Sequence, residues 1–373
     1  MKIAFISRTL FLSGVTTHIR DLAKELIKAG HSVHILTAGP QFKNHSGMDL
    51  LMKSLLETGV KIINVNYPNG NSKWEYAKLP TNIYSTYKIL KKEKFDIIHV
   101  HTPILSFIPK ILGYKFVTTI HVAKMELGVF HQPPTHQIAI SREIYEESLA
   151  NGIKKENCTI VFNGVDEKYT QCISNEEKIE IKKKYDFPSD KVLIGFVGTL
   201  CYRKGLDLLI KAYSLLNEDT KKKCMLIFCG NYDQESEKKW LEKIIEETNI
   251  KDGLKILEYQ SPEYLYKIFD IFVLASRLEG FALVTIEAML SGCCNIRSKV
   301  EGASDQITDG ETGFLFESED VQALKNILEK VVNNKELRER VAIQGQKFAE
   351  ENFTSKIMAK KTLEVYNKVI HEY

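Results

Sequence analysis

The sequence is poor in the features that build a disulfide scaffold, a membrane span or a nucleic-acid sheath. Its seven cysteines (Cys158, Cys172, Cys201, Cys224, Cys229, Cys293, Cys294) are an odd number with no C-x-x-C spacing. That excludes a disulfide framework and a paired-thiolate zinc site, and it suits a reducing compartment. No window approaches the ~20 apolar residues of a membrane span. No basic stretch precedes an apolar one at the amino terminus, where Lys2-Ile-Ala-Phe-Ile6 runs at once into Ser7 and Arg8. A cytoplasmic protein, neither exported nor inserted, is expected. The net charge of +3 falls far short of the basic excess of a dedicated DNA-binding domain, so nucleic acid is not an expected partner. With nine prolines, 44% hydrophobic and 27% charged residues, the composition is globular. No two aspartates stand two positions apart, so an Asp-x-Asp metal clamp is missing, and neither a Walker A loop nor G-x-G-x-x-G occurs.

A chain of 373 residues exceeds the ~150 that one core usually serves, which points to two domains. Up to residue 167 there are 20 basic and 14 acidic residues, and beyond it 31 and 34. Nine of the ten histidines (18, 31, 34, 45, 99, 101, 121, 131, 136) also precede residue 167; the tenth is His371. A basic first half facing an anionic acceptor or lipid surface, and uneven composition without function, explain this equally well.

Short apolar runs predict strands at Ile3–Ile6, Val33–Leu36, Val60–Ile63, Ile97–Val100, Phe116–Ile120, Gln137–Ile140 and Thr159–Phe162, alternating with helical patterns. Ile19, Leu22, Ala23, Leu26 and Ile27 mark the first helix, closed by Ala29-Gly30. After a lysine-rich stretch from Ser174 to Asp190 the rhythm restarts, with strands predicted at Val192–Val197, Met225–Phe228, Leu254–Leu257, Ile271–Leu274 and Gly313–Phe316. From Val321 to Tyr373 only helices are expected. Alternation of this kind means parallel sheets, so the fold class is α/β with two Rossmann-like domains, and ligands are expected at strand carboxyl ends in the crevice between them.

Two segments carry the candidate chemistry. Ser276 to Gly292 leaves a strand end, passes Gly280 and enters a helix; its Glu279 and Glu287 stand eight residues apart. On one helix they would be ~12 Å apart along the axis, too far for a glycosidase carboxylate pair. They could hold the two ends of one extended ligand, with helix N–H groups between them for phosphates. A cap and a solvated charge fit as well. The second segment, Gly198-Thr-Leu-Cys-Tyr-Arg203-Lys204-Gly205, places adjacent cations before a helix, a diphosphate clamp if both face one anion and an ordinary solvated pair otherwise.

With these residues the chain resembles the retaining glycosyltransferases of the GT-B fold, family four. The resemblance spans nearly the whole chain: Gly14, Asp96-Ile-Ile-His-Val-His101, Thr119-Ile-His121, Val161-Phe-Asn-Gly-Val-Asp166, Arg203-Lys204-Gly205, the E-x-seven-E pair and Asp309-Gly-Glu-Thr-Gly313. It implies two Rossmann-like domains facing across a cleft, 1–167 for the acceptor and 168–352 for the nucleotide sugar, with a helix over 353–373 crossing back onto the first. It gives Glu287 the ribose hydroxyls, and Glu279 with the backbone of Phe281, Ala282 and Leu283 the donor sugar and diphosphate. Gly14, Gly198, Tyr259 and Gln260 also fall to the donor. Lys204, helped by Arg203, would neutralise the departing diphosphate, and His121 would lie beside the donor sugar. Ser13, Val15 and Thr16, with the loop from Met125 to Pro134, would meet the acceptor.

The chain departs from the family at Thr199, where an arginine is frequent, at Ser13-Gly14 in place of a double glycine, at Gly292-Cys293-Cys294, and at Asp305 for a glutamate. The two cysteines read as small core residues.

The implied reaction needs no cofactor and no metal. A sugar passes from a nucleotide diphosphate, UDP by expectation, to a hydroxyl of a glycan or lipid-linked acceptor, with front-face retention, in surface polysaccharide or glycoconjugate assembly. Ile104 to Leu112, flanked by Lys110 and Lys115, is either a peripheral membrane contact on the inner face of the cell membrane or a buried helix. Two other readings compete: a non-catalytic glycosyltransferase-like partner subunit, which Thr199 favours, and a nucleotide-sugar epimerase on the same fold.

Overall fold

Apolar runs short enough to be strands, and buried on both sides, dictate the architecture. The structure, a computed structural model, describes residues 1–40, 46–67, 79–122 and 131–372, and divides into two units, Met1–Gly164 with Ser355–Tyr373 and Val165–Thr354. The first division falls at 164/165 and the second at 354/355.

In the first unit the strands are β1 (Lys2–Ile6), β2 (Ser32–Thr37), β3 (Lys61–Asn64), β4 (Ile97–Val100), β5 (Val117–Ile120), β6 (His136–Ala139) and β7 (Cys158–Ile160). They form one sheet in the order β3-β2-β1-β4-β5-β6-β7, parallel throughout. Alternate residues go to opposite faces. Ile3 and Phe5 pack with Ile19, Leu22 and Leu26 of the Gly14–Lys28 helix and with Met358, Val365 and Tyr366 of the Ser355–His371 helix. Ala4 and Ile6 pack with Leu105, Ile108 and Phe116 on the other side. Each buried Ile, Leu, Phe, Val or Met side chain among these contributes about 1.5–3 kcal/mol. The terminal helix therefore belongs to the first unit's own core.

Ile104 to Leu112 folds as a 3₁₀ turn (Pro103–Ser106) and a helix (Phe107–Ile111). Leu105, Phe107 and Ile108 are buried, and Ile111 is the large apolar side chain of the stretch left exposed. The buried reading thus replaces the membrane contact drawn from this stretch, because its apolar residues are already spent on the sheet.

The second unit has β8 (Val192–Val197), β9 (Cys224–Cys229), β10 (Leu254–Leu257), β11 (Ile271–Leu274), β12 (Cys294–Ser298) and β13 (Phe314–Phe316), in the order β10-β9-β8-β11-β12-β13. All of its strand pairs are parallel too. Helices Val321–Asn333, Lys335–Asn352 and Ser355–His371 complete the chain with no strand among them, as the helical pattern predicts. The strand that the apolar pattern does not announce is β12. Its Cys-Asn-Ile-Arg-Ser sequence is buried at all five positions, with the Asn295 amide donating to Cys293 O and the Arg297 guanidinium bonded on two sides.

Both sheets run outward from a central pair, β1/β4 in one and β8/β11 in the other. The strand order reverses at these pairs, and in open α/β sheets ligands bind at the carboxyl ends of the strands where it does.

Candidate active site

In the second unit the switch point lies at the carboxyl ends of β8 and β11, and the loops that follow them carry the candidate residues. After β8 the chain makes a 3₁₀ turn (Tyr202–Lys204) and enters the Leu206–Ser214 helix through Gly205 at φ +66°. A Cβ at Gly205 would lie 1.8 Å from the Ala275 carbonyl oxygen, so only glycine lets this helix start close against the end of β11. Arg277 fastens the two loops. Its guanidinium donates to both Asp207 carboxylate oxygens at 2.8 and 2.9 Å and to Tyr202 O at 2.7 Å, and it lies over the Tyr202 ring.

This scaffold brings Lys204 and Glu279 together across 75 residues of sequence. Lys204 Nζ is 2.5 Å from Glu279 Oε1, and Ser276 Oγ donates to the same oxygen at 2.7 Å. Arg203 donates to Leu278 O at 3.0 Å and stands 3.8 Å from Glu279. The Glu279 side chain is 9% exposed and that of Lys204 12%, whereas Arg203 is 48% exposed. Burial alone would push the Glu279 carboxyl up; the Lys204 ammonium, the Ser276 hydroxyl and the nearby Arg297 charge hold it below the usual carboxylate range.

Four residues after Glu279 the Leu283–Leu290 helix begins, so the E-x-seven-E span is half loop and half helix. No side chain caps its start at Ala282, so its first N–H groups have no side-chain partner there. Phe281, Ala282 and Leu283 bury their side chains and can offer a ligand only backbone. Glu287 is buried in the second turn, its Oε2 accepting from Tyr266 OH at 2.9 Å. At the end of β10, Tyr259 N–H donates to Asn231 Oδ1 at 3.1 Å, and Gln260 Oε1 accepts from Tyr185 OH at 2.6 Å. Gly198 directly follows β8, its N–H donating to Cys229 O.

Two arginines that motif reading does not single out organise this site: Arg277, and Arg297 at the end of β12. Arg297 has no exposed surface. Its guanidinium donates to Gln306 Oε1 and to Glu301 O, and Gln306 Nε2 donates to Ala282 O at 3.0 Å. A buried cation is thus linked to the start of the Leu283–Leu290 helix. Burial lowers the Arg297 pKa to about 10, against the opposing pull of Glu279, Glu301 and Asp305, which leaves it charged at neutral pH. The available signal was an arginine inside an otherwise uncharged Gly-Cys-Cys-Asn-Ile-Arg run. Cys293 and Cys294 are buried and burial raises both thiols, Cys294 to about 12, in keeping with small core residues.

In the first unit, Ser13 caps the Gly14–Lys28 helix, its Oγ accepting from Thr16 N–H at 3.4 Å. Gly14 is exposed and Val15 half-buried. Thr16 is buried, and its hydroxyl accepts from Phe11 N–H at 3.2 Å, so it holds the loop in shape. Of the stretch Met125 to Pro134, residues up to 130 lie outside the described ones. His121 follows β5 and is buried; its Nε2 is 3.3 Å from Nδ1 of His101, which follows β4. His18, from the second turn of the Gly14–Lys28 helix, meets both rings. His99 behind them bonds Tyr366 OH at 2.6 Å and Thr119 Oγ1 at 2.7 Å. Burial, then neighbouring imidazoles, holds His99, His101 and His121 well below the ordinary histidine range, and burial brings His18 to about 4.

Comparison with known proteins bears on this arrangement over nearly the whole chain. Residues 177–348 match the family described as glycosyl transferases group 1, and residues 12–169 match glycosyltransferase family 4. An uncharacterised glycosyltransferase of Methanocaldococcus jannaschii is 23% identical over 98% of either chain. The capsular polysaccharide biosynthesis glycosyltransferase CapM of Staphylococcus aureus is 28% identical over 70% of this chain and 68% of its own. Among solved structures, Anabaena HepE in complex with UDP and glucose superposes with a TM-score of 0.84 at 18% identity, covering 99% of this chain and 100% of that one; at that identity the likeness shows a shared GT-B fold. The family matches, one to each unit, and the site that the group 1 match encloses lead to one conclusion: the chain belongs to the group 1, family 4 glycosyltransferases and is a sugar-transferring enzyme.

Proposed function

We propose that this enzyme transfers a hexose-type sugar from a UDP-sugar to a hydroxyl of a glycan or lipid-linked acceptor, with retention of anomeric configuration and with no divalent metal between protein and diphosphate. The observation that carries the reading is the Lys204–Glu279–Ser276 cluster at the carboxyl ends of β8 and β11, beside a helix start that no side chain caps. A diphosphate placed there meets Lys204, Arg203 and the backbone N–H groups at Ala282 and Leu283, and these supply the positive charge that an ion supplies elsewhere. Glu279 takes hydroxyls of the sugar and Glu287 those of the ribose, with Gly198, Tyr259 and Gln260 lining the nucleotide. The first unit takes the acceptor, around Ser13 to Thr16.

In the step itself the bond from the sugar's anomeric carbon to the diphosphate oxygen breaks. A bond to the acceptor oxygen forms on the same face, and the acceptor's proton passes to the leaving diphosphate. The protein's part is to position the partners and to stabilise the growing negative charge through Lys204. HepE's capture with UDP and glucose supports the donor class, and CapM's assignment to capsular polysaccharide biosynthesis supports a role in surface glycan assembly. Among the described residues no helix is long and apolar enough to cross a membrane, and the proposed site of action is the cytoplasm, at the inner face of the cell membrane for lipid-linked acceptors.

The test is a panel of nucleotide sugars with excess chelator, scoring nucleotide release with and without candidate glycans, and proton NMR of the product's anomeric linkage. Acceptor-dependent UDP release with retained configuration is expected. Turnover that requires added magnesium, or an inverted product, would overturn the proposal.

A further inference from the structure

Behind Glu287 stands a second residue, and its place decides how the carboxylate can face a ligand. Glu287 lies in the second turn of the Leu283–Leu290 helix and is 9% exposed. Its Oε2 accepts from the hydroxyl of Tyr266 at 2.9 Å, and Tyr266 has no exposed surface. We infer that Tyr266 is a positioning residue for the nucleotide: it holds the Glu287 carboxylate in one orientation, and that orientation makes the site selective for a ribose over a deoxyribose. The inference rests on the reading that Glu287 takes the ribose hydroxyls, and deepens it.

The first support is how Tyr266 is held. It ends the Glu263–Tyr266 helix, six residues beyond Gln260, so the segment assigned to the nucleotide at the end of β10 also carries the tyrosine that steadies Glu287. Three aromatic rings meet its ring edge-on, Tyr169 at 5.8 Å, Phe269 at 6.3 Å and Phe272 at 5.6 Å between centroids. Its N–H donates to Pro262 O at 3.0 Å, and its carbonyl accepts from Cys293 Sγ at 3.1 Å. The ring cannot turn without displacing these neighbours, so its hydroxyl is delivered to one point. The helix that carries Glu287 is tied to the same box: Ser291, which closes it, donates from Oγ to Tyr169 O at 3.2 Å.

The second support is the direction of the bond. Burial first, and then the Glu287 charge, hold the Tyr266 hydroxyl well above the ordinary tyrosine range, so it stays the donor and Glu287 the acceptor. A carboxylate has about four acceptor positions, and with one fixed the directions of the others follow. A glutamate left to itself samples several rotamers and surrenders them when a ligand binds; here the fold does that ordering beforehand. The 2′ and 3′ hydroxyls of a ribose are neighbours on one ring, and both donate to one carboxylate only if it faces them. Packing alone does not call for the hydroxyl, since phenylalanine would fill the same box without a polar atom to desolvate.

The experiment uses the full chain and calorimetric titration with UDP, 2′-deoxy-UDP and 3′-deoxy-UDP. The parent should bind UDP at least about 10-fold more tightly than either deoxy form, the worth of one hydrogen bond to a charged group. Tyr266→Phe, with its fold checked by circular dichroism, should bind UDP about 10-fold more weakly and hold the three nucleotides within about threefold of one another. The donor KM should rise with that loss while kcat moves less than about threefold, because nothing at the reacting carbon has changed. In a Glu287→Ala background the same replacement should alter UDP affinity less than about twofold, since a residue that acts through Glu287 has nothing left to act on. Tyr213→Phe removes another buried hydroxyl of this unit, one that donates to Cys224 O at the start of β9, and should leave binding unchanged. Crystals of the unmutated enzyme with UDP avoid any dependence on variant folding: they should show the Tyr266 hydroxyl on Glu287 Oε2 and the ribose hydroxyls on the same carboxylate.

A Tyr266→Phe protein that keeps the parent's preference for UDP over both deoxy forms, or that loses affinity equally in the parent and Glu287→Ala backgrounds, would overturn the inference and leave the ribose assignment of Glu287 standing. So would crystals in which the phenol has left the carboxylate. A parent that binds the three nucleotides equally would overturn that assignment and this inference with it.

Discussion

Lys204→Ala tests the core of the proposed chemistry, because the structure sets how large its two effects should be. The ammonium lies 2.5 Å from Glu279 Oε1, with both side chains largely buried. Removing one member of a buried pair costs about 3–5 kcal/mol when nothing else compensates. Here Ser276 still donates to the carboxylate and Arg203 stands 3.8 Å away, so about 2 kcal/mol of stability should be lost in urea unfolding. The effect on transfer should be larger. A preorganised charge aimed at a leaving group contributes about 10²–10³ in rate, roughly 3–4 kcal/mol, so kcat should fall at least 100-fold while UDP affinity falls much less. Glu279→Gln should also suppress turnover, and the double variant should be milder in stability than the sum of the singles, since each single strands the other's partner. With Lys204 gone, the Glu279 carboxyl loses its strongest stabiliser and the acid limb of the rate profile should move to higher pH. A Lys204→Ala enzyme with kcat within tenfold of the parent, at full fold by circular dichroism, would refute the assignment of this lysine.

Arg297→Met should destabilise the second unit by about 3 kcal/mol, because it strands Gln306 Oε1 and the carboxylates around it, and should shift the acid limb upward as in Lys204→Ala; a variant unchanged in both urea midpoint and rate profile would remove Arg297 from the site. Gly205→Ala should cost about 3 kcal/mol or more, combining left-handed backbone strain with a Cβ driven into the Ala275 carbonyl, and calorimetry showing a loss under 1 kcal/mol (well below that expectation) would contradict the close approach. Stability should also fall on acidification. His18, His99, His101 and His121 stay neutral when folded but take protons near pH ~6.5 when unfolded. Their contribution is therefore complete above that pH and is lost as pH falls through it towards the depressed folded values, at up to about 1.4 kcal/mol per pH unit for each. Equal unfolding midpoints at pH 7.5 and 5.5 would count against neutral burial.

The sequence discloses those parts of the fold whose residues act through their neighbours in the chain. Strands such as β1 and β8 are apolar on both faces because both faces are covered, and that shows as an unbroken run. The Gly14–Lys28 helix shows its buried face through the spacing of Ile19, Leu22 and Leu26. Strand β12 is hidden because Arg297 and Asn295 are buried polar groups whose cost is met by Gln306, Glu301 and Cys293; no pattern within five residues can show that the partners exist. The site divides the same way. Glu279 and Glu287 are legible as a spacing, but the loop that separates them from a common helix follows from where the chain leaves β11. Lys204 and Glu279 become a pair only because β8 and β11 are adjacent strands. Adjacency also explains the histidines: β4 and β5 are neighbours, each is followed at once by a histidine, and the Gly14–Lys28 helix leaves the neighbouring strand β1. Parallel order thus predicts that strand-end histidines on adjacent strands will meet. Spacing along the chain does not show the cluster, because His18, His101 and His121 are spread across more than a hundred residues of sequence and share only the end of a sheet.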